Sequence, residues 1–336
     1  MPRHRPSPGP EEPFVLLGTC NGAPYLGEFI ESMRGQSYAR WKMLVRDDAS
    51  DDATVATLRE LTGEDERFEI LPDGLARRGP VGNYATLLRS ARDREAAYVF
   101  LADQDDVWLP EKIDRQLELM RTTEAETGRD TPVLVYSDLK VVGARLQAIH
   151  DSFLRYVRYS PDEVQPLRTL LAHNFIPGCT MLMNRPLLEL ALPLPSPAPV
   201  HDWWIALCAA AAGRLASLPQ PTVLYRQHEG NAIGVRAWRT TLNPVKHGWL
   251  ERWRRGKATF ARHVEQADAL RRRLQYRQLP CDPQPRDLLD RYCRLLQPST
   301  GLWRRIDGMH RLRIPRTALS RRLLFYACLL TFRRGR

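Results

Sequence analysis

No two of the six cysteines, at 20, 179, 208, 281, 293 and 328, form a Cys-x-x-Cys pair or any metal-site spacing. No signal-peptide pattern opens the chain, so reduced, cytoplasmic surroundings are expected. The first strand-like run, Phe14 to Leu17, is followed by neither G-x-G-x-x-G nor the P-loop pattern. The usual dinucleotide-binding and NTPase readings therefore fall away. The Gly-rich, Lys-bearing loop of a nucleotidyltransferase is missing from the same place. So is the Asp-x-Asp with which phosphohydrolases carrying an aspartyl nucleophile follow their first strand, since Thr19 and Asn21 stand there. Acids are scarce at the far end: residues 232 to 336 hold 7 Asp+Glu against 25 Lys+Arg, whereas residues 1 to 231 hold 32 against 25. An acidic front and a basic rear point to two jobs, the second facing nucleic acid or anionic lipid.

What is present reads as a globular chain of one large or two ordinary domains, with 43% hydrophobic residues in 336. Residues 1 to 12, with four prolines, read as a disordered tail. From Phe14 onward, apolar runs alternate with segments of helical spacing. Strands are expected at Phe14 to Leu17, Trp41 to Val45, Phe68 to Leu71, Tyr98 to Ala102 and Val133 to Tyr136, and Ser50 is expected to cap the second helix. That alternation predicts an α/β fold, a mostly parallel sheet with helices on both faces. It occupies residues 13 to 235, and a basic, mainly helical extension follows over 236 to 336.

Two of the strands end in acids, at Asp47-Asp48 and at Asp103, Asp105 and Asp106. In an open α/β sheet, the ligand crevice lies beyond the carboxyl ends of the strands. Carboxylates crowded there repel one another, and a hard cation such as Mg²⁺ or Mn²⁺ relieves the repulsion. The plainer reading is a solvated loop before a helix opened by Pro110. Farther on, Asp202 precedes an alanine-rich stretch and reads either as a helix cap or as a functional acid. Trp203 and Trp204 read as core or as an apolar face for a sugar ring, and His201 and His228 as structural or ligand-facing histidines.

Five motifs stand in order: Leu17-Gly-Thr-Cys-Asn-Gly22, Arg46-Asp-Asp-Ala-Ser-Asp51, Leu101-Ala-Asp-Gln-Asp-Asp-Val-Trp108, His201-Asp-Trp-Trp204, and Tyr225-Arg-Gln-His228 with Asn231. Together they resemble the family 2 inverting glycosyltransferases of GT-A fold, and among these the bacterial rhamnosyltransferases that build O-antigens and cell-wall rhamnans. Cys20 departs from the resemblance, since the family more often has Tyr there. The resemblance implies that Thr19, Asn21, Asp47 and Asp48, with Asp103 at the ribose, form the nucleotide pocket. It implies a divalent metal on Asp103 and Asp105, with His228 as a further ligand, and Asp106 and Trp108 as supports of that turn. Asp202 then matches the catalytic base, while His201, Trp203, Trp204 and Gly178 would meet sugar or acceptor, as would, more weakly, His173 and Asn174. Arg226 and Asn231 match a loop closing over the diphosphate. The implied donor is a nucleoside-diphosphate sugar, dTDP-L-rhamnose first and a UDP- or GDP-sugar as the alternative. The implied acceptor is a glycan or polyprenyl-linked glycan. A non-catalytic scaffold should have lost acids from these motifs, and all are present.

The rear quarter mixes Trp238, Trp249 and Trp253 with arginines, yet no recognised nucleic-acid module stands there, and no nucleic-acid partner is expected. Its end, Arg321 to Arg334, sets ten mostly apolar residues between arginine pairs. As a helix that run is about 15 Å long, half of the roughly 30 Å hydrocarbon core, so it can lie at a bilayer but not span it. With Arg304, Arg305, Arg311, Arg313 and Arg316 before it, the expectation is a peripheral enzyme on the anionic inner face of the bacterial cytoplasmic membrane. A terminal helix packed on the catalytic domain, or a dimer contact, is the alternative.

Overall fold

The apolar runs become strands wherever both faces find cover. The computed structural model describes residues 12–72, 77–157, 165–196, 198–228, 249–277, 283–297 and 299–314. In the first half, strands β1 (Phe14–Thr19), β2 (Lys42–Asp47), β3 (Phe68–Ile70) and β4 (Tyr98–Asp103) alternate with helices α1 (Ala23–Arg34), α2 (Thr54–Thr62) and α3 (Gly79–Asp93). All pairs among these four strands are parallel, with Gly18 of β1 opposite Arg46 on one side and Asp103 on the other. That register brings the carboxyl ends of β1, β2 and β4 level. Thr19, Asp47 and Asp103 therefore leave the sheet along one edge.

Beyond β4 the sheet turns mixed. It continues through β5 (Val107–Trp108), α4 (Lys112–Thr127), β6 (Val133–Gly143), β7 (Ala148–His150), short helices α5 (Phe153–Tyr156) and α6 (Pro166–Leu170), β8 (Met181–Asn184), α7 (Arg185–Ala191), α8 (His201–Ala212) and β9 (Arg214–Gln227). The order across the sheet is β3-β2-β1-β4-β8-β6-β9-β5, with β7 beside β6. Strand β8 runs antiparallel to both its neighbours, and the short link from β6 to β7 permits only an antiparallel pair. Hydrophobic periodicity locates strands without fixing their direction, and the expected parallel pairing is found among the first four strands and between β6 and β9.

Side chains alternate between two cores, as the period of two in a strand requires. Phe14 and Leu16 face one with α3, α7 and α8, while Val15 and Leu17 face the other with α1, α2 and α4. Helices therefore cover both faces. Ser50 does not cap α2, which begins beyond Ala53 with no side-chain bond at that position. The Ser50 hydroxyl instead donates to Asp47 Oδ1 at 2.6 Å and accepts the Asn21 N–H at 2.9 Å, while Asp52 takes the Thr54 N–H.

The basic extension forms α9 (Trp249–Arg277), α10 (Pro283–Leu295) and α11 (Leu302–Arg311) among the described residues. Phe260, Val264, Ala267, Leu270 and Leu274 make a buried stripe on α9, spaced to fall on one helix face, and join the core of α8. Arg273 and Arg277 bond the carbonyls of Glu189, Leu190, Ala191 and Leu192, satisfying the acceptors that the end of α7 leaves open. The Tyr292 hydroxyl donates to the Leu171 carbonyl from α10. The expected boundary near 235, Asn231, and the tails 1 to 11 and 315 to 336 lie outside the described residues. Arg305 cannot serve a membrane face, because it is buried and donates to the Gln297 carbonyl. Among the described residues, no helix is long and apolar enough to cross a membrane.

Candidate active site

The loop after β1 is built from local bonds. Thr19, wholly buried, donates its hydroxyl to Asp47 Oδ1 at 2.8 Å, and Asp47 also accepts the Ser50 N–H at 2.7 Å. Asn21 sits in the left-handed region at φ 49°, held by its N–H to Ser50 and by its side-chain oxygen, which accepts the Asp51 N–H. Asp48 behaves differently from its neighbour. It is buried, and its two oxygens accept from the Arg46 guanidinium and from the N–H groups of Arg78 and Gly79. Asp48 thus fastens β2 to the start of α3, and Asp47 is the acid of the pair that faces the loop.

At the end of β4, the Tyr84 hydroxyl donates to the Ala102 carbonyl and lies 3.3 Å from Asp103 Oδ1. Asp105 Oδ2 meets His228 Nε2 at 2.8 Å, and the His228 ring stacks on Tyr25 at 4.5 Å. Asp106 is buried beneath, accepting the Arg226 N–H. Trp108 is buried in the sheet edge, so both residues support the turn. The Arg226 guanidinium bonds the carbonyls of Asp105 and Ala144 and the Glu28 carboxylate, with 2% of the side chain exposed. It holds the acidic turn to the end of β9 and to α1.

Asp202 stands in the first turn of α8, with Val200 rather than Asp202 at the capping position. Its Oδ1 accepts the Trp203 N–H at 2.5 Å and the carboxylate also takes the Gly178 N–H. Burial pushes the Asp202 carboxyl up to about 6, against the pull of those N–H groups. Burial raises Asp103 too, and the negative charges of Asp105 and Asp202 raise it further. The base candidate and the acidic turn therefore feel one another's charge. His201 is pushed down to about 3 by burial, and its neutral ring stacks on Tyr84 at 3.8 Å. Tyr84 thereby touches both halves of the site. Gly178 packs against His201 and Asp202, where a Cβ would meet them at ordinary contact distances of 3.5 and 3.6 Å.

Of the two tryptophans, Trp204 is wholly buried with its indole N–H on the Ala191 carbonyl, and Trp203 is nearly so with its indole N–H on the Leu170 carbonyl. Both belong to the core, because α8 is apolar around its whole circumference and needs cover on every side. The Asn174 side chain closes a local turn through Ile176.

Asp103, Asp106 and Cys179 bring potential ligand atoms within 4.8 Å of one another. Asp106 and Cys179 are buried, and a thiol is a soft ligand, so a hard cation is better served by the more accessible oxygens of Asp103 and Asp105. A divalent cation would offset the negative charges of Asp105 and Asp202 that, after burial, raise Asp103. The residues present therefore fit one, with His228 beside Asp105 offering a nitrogen donor.

Residues 14–189 match the Glycosyl transferase family 2 model. The chain belongs to glycosyl transferase family 2. Among relatives, the family 2 chain is similar to a dTDP-rhamnosyl transferase, RfbG, of Shigella flexneri, with 23% identity over 70% of this chain and 81% of the relative. It is also similar to a UDP-Glc:alpha-D-GlcNAc-diphosphoundecaprenol beta-1,3-glucosyltransferase, WfgD, of Escherichia coli, with 31% identity over 32% of this chain and 40% of the relative. Over several curated relatives, the match spans 40% to 65% of their own length. In fold, it is similar to the mannosyltransferase PcManGT of Pyrobaculum calidifontis, solved with GDP-Man and Mn²⁺, at TM-score 0.51 and 19% identity over 97% of this chain and 80% of that one.

Proposed function

We propose that this family 2 chain is an inverting glycosyltransferase that moves a sugar from a nucleoside-diphosphate donor to a glycan or lipid-linked glycan. The observation that carries the reading is the placement of Asp202, a carboxylate raised to about 6 by burial and facing the acidic turn. Asp202 takes the proton of the acceptor hydroxyl as that oxygen attacks the anomeric carbon from the side opposite the leaving diphosphate. The configuration inverts. Asp103 and Asp105, with His228, would hold a divalent metal, which would supply neutralisation of charge on the leaving diphosphate. Asn21 and Asp47 line the nucleoside end, with buried Thr19 orienting Asp47 and Asp48 behind them as a fastener.

L-rhamnose from dTDP-L-rhamnose is the first donor to test. The likeness to the Shigella rhamnosyl transferase over most of its length supports it. A panel of dTDP-, UDP- and GDP-sugars with Mg²⁺ or Mn²⁺, scored for nucleoside diphosphate release, is expected to single out dTDP-rhamnose. Turnover of a UDP- or GDP-sugar instead moves the donor assignment, and NMR showing retained anomeric configuration overturns the single displacement.

The pH profile tests the base. An acid that must be deprotonated to work loses activity below its own pKa, so kcat/KM is expected to fall by about tenfold per pH unit below about 6. A profile flat down to pH 4.5 removes Asp202 from that role. The enzyme is further proposed to sit at the anionic inner face of the cytoplasmic membrane. The basic α9 to α11 region supports this, as do Trp303, 82% exposed, and Leu302 at the start of α11.

A further inference from the structure

Gln104, between the two acids of the turn, spends its whole amide on one residue of the opposite loop. Its Oε1 accepts the Cys20 N–H at 2.9 Å, and its Nε2 donates to the Cys20 carbonyl at 2.9 Å. The backbone ladder between β1 and β4 ends at the pair Gly18 and Asp103. Beyond it the side chain of Gln104 supplies the donor and acceptor that a neighbouring strand would have given. Room for it depends on Gly22, whose φ of −115° needs no glycine. A Cβ at Gly22 would fall 2.1 Å from the Gln104 Oε1 and 2.2 Å from its Cδ, so any other residue expels the amide. The loop so clasped carries Asn21 in the left-handed region, a conformation that persists only where surrounding bonds hold it.

We infer that Gln104 is a positioning residue for donor binding, clasping the nucleoside loop of residues 19 to 22 to the acidic turn so that both reach the donor as one preformed surface. The inference rests on the nucleotide-sugar reading above for its effect on the donor, while the clasp itself follows from the bonds alone. A ligand that must first draw a loose loop into place binds more weakly by the population of the competent form. Loss of two neutral hydrogen bonds therefore predicts a donor KM raised about tenfold, with kcat changed less.

Gln104→Leu and Gly22→Ala test this separately and together, in full-length protein whose melting temperature is recorded. Each single variant is expected to raise donor KM and the Kd for the free nucleoside diphosphate by a similar factor. The double variant is expected to be no worse than either. Additive effects, or an unchanged Kd in folded Gln104→Leu protein, overturn the clasp as a donor-binding device. Hydrogen exchange at the Cys20 amide reads the clasp without any donor. Faster exchange in both single variants supports it, and unchanged exchange sinks it even if the chain turns over no nucleotide sugar.

Discussion

Asp202→Asn is expected to lower sugar transfer by about 10²- to 10⁴-fold, the usual contribution of a positioned general base. Donor affinity should be retained. The amide keeps the size of the carboxylate and can still accept the Trp203 N–H through its oxygen, so the start of α8 stays in place. It cannot take a proton. The variant should also be no less stable at neutral pH, and the sign follows from the raised carboxyl. A group pushed up to about 6 in the fold binds its proton more tightly there than in the unfolded chain. Its stabilising contribution is complete below the ordinary carboxylate range and is lost as pH rises through about 6, a loss that asparagine does not suffer. Initial rates, a melting curve at pH 8 and donor calorimetry on one preparation separate these effects. A folded variant that keeps most of its rate removes Asp202 as the base.

Asp105→Ala is expected to strike donor binding instead. Its carboxylate is the half of the acidic pair that also fixes His228, through the 2.8 Å contact made while the His228 ring stacks on Tyr25. Removing it deletes one oxygen donor for the cation and frees the imidazole beside it. Loss of even an outer-shell partner commonly lowers metal affinity by about 10- to 100-fold, so a ligand should lose at least that. Titration of the nucleoside diphosphate with Mn²⁺ present is expected to show the loss, whereas titration without metal should show little change. Equal affinity with metal for wild type and Asp105→Ala would take Asp105 out of the metal site.

The first four strands, the helices on both faces and the acids at the strand ends were legible in the sequence, because each rests on local periodicity or on a short motif. Strand β8 was not among the expected strands, and its antiparallel pairing could not be read either, since apolar spacing is the same for parallel and antiparallel strands. Asp103 feels the charges of Asp105 and Asp202, and His228 meets Asp105. Trp203 and Trp204 turned inward because a helix buried all round offers no side on which an aromatic ring stays exposed. The partners of Arg226 were not legible either, because Glu28, Ala144 and Asp105 come to it from distant parts of the chain. Tyr84 and Tyr25 stood in plain view as members of helical stripes, and nothing in the spacing distinguished them from ordinary core residues. Only the folded chain shows Tyr84 lying between Asp103 and His201.

The arginine bonds from α9 to the end of α7 bear on how this molecule can be cut and rebuilt. The helix that presents Asp202 has the sheet on one side and the basic extension on the other, with Trp203 against His263 and Trp204 beneath Arg273. A shortened version ending near residue 235 would strip the carbonyls of α7 of their partners and open the buried stripe of α9 to water. Among the described residues the acidic and basic parts, so unlike in charge, therefore share one core. Swapping the extension between relatives to change where an enzyme works in the cell would have to carry its matching α7 and α8 surface with it.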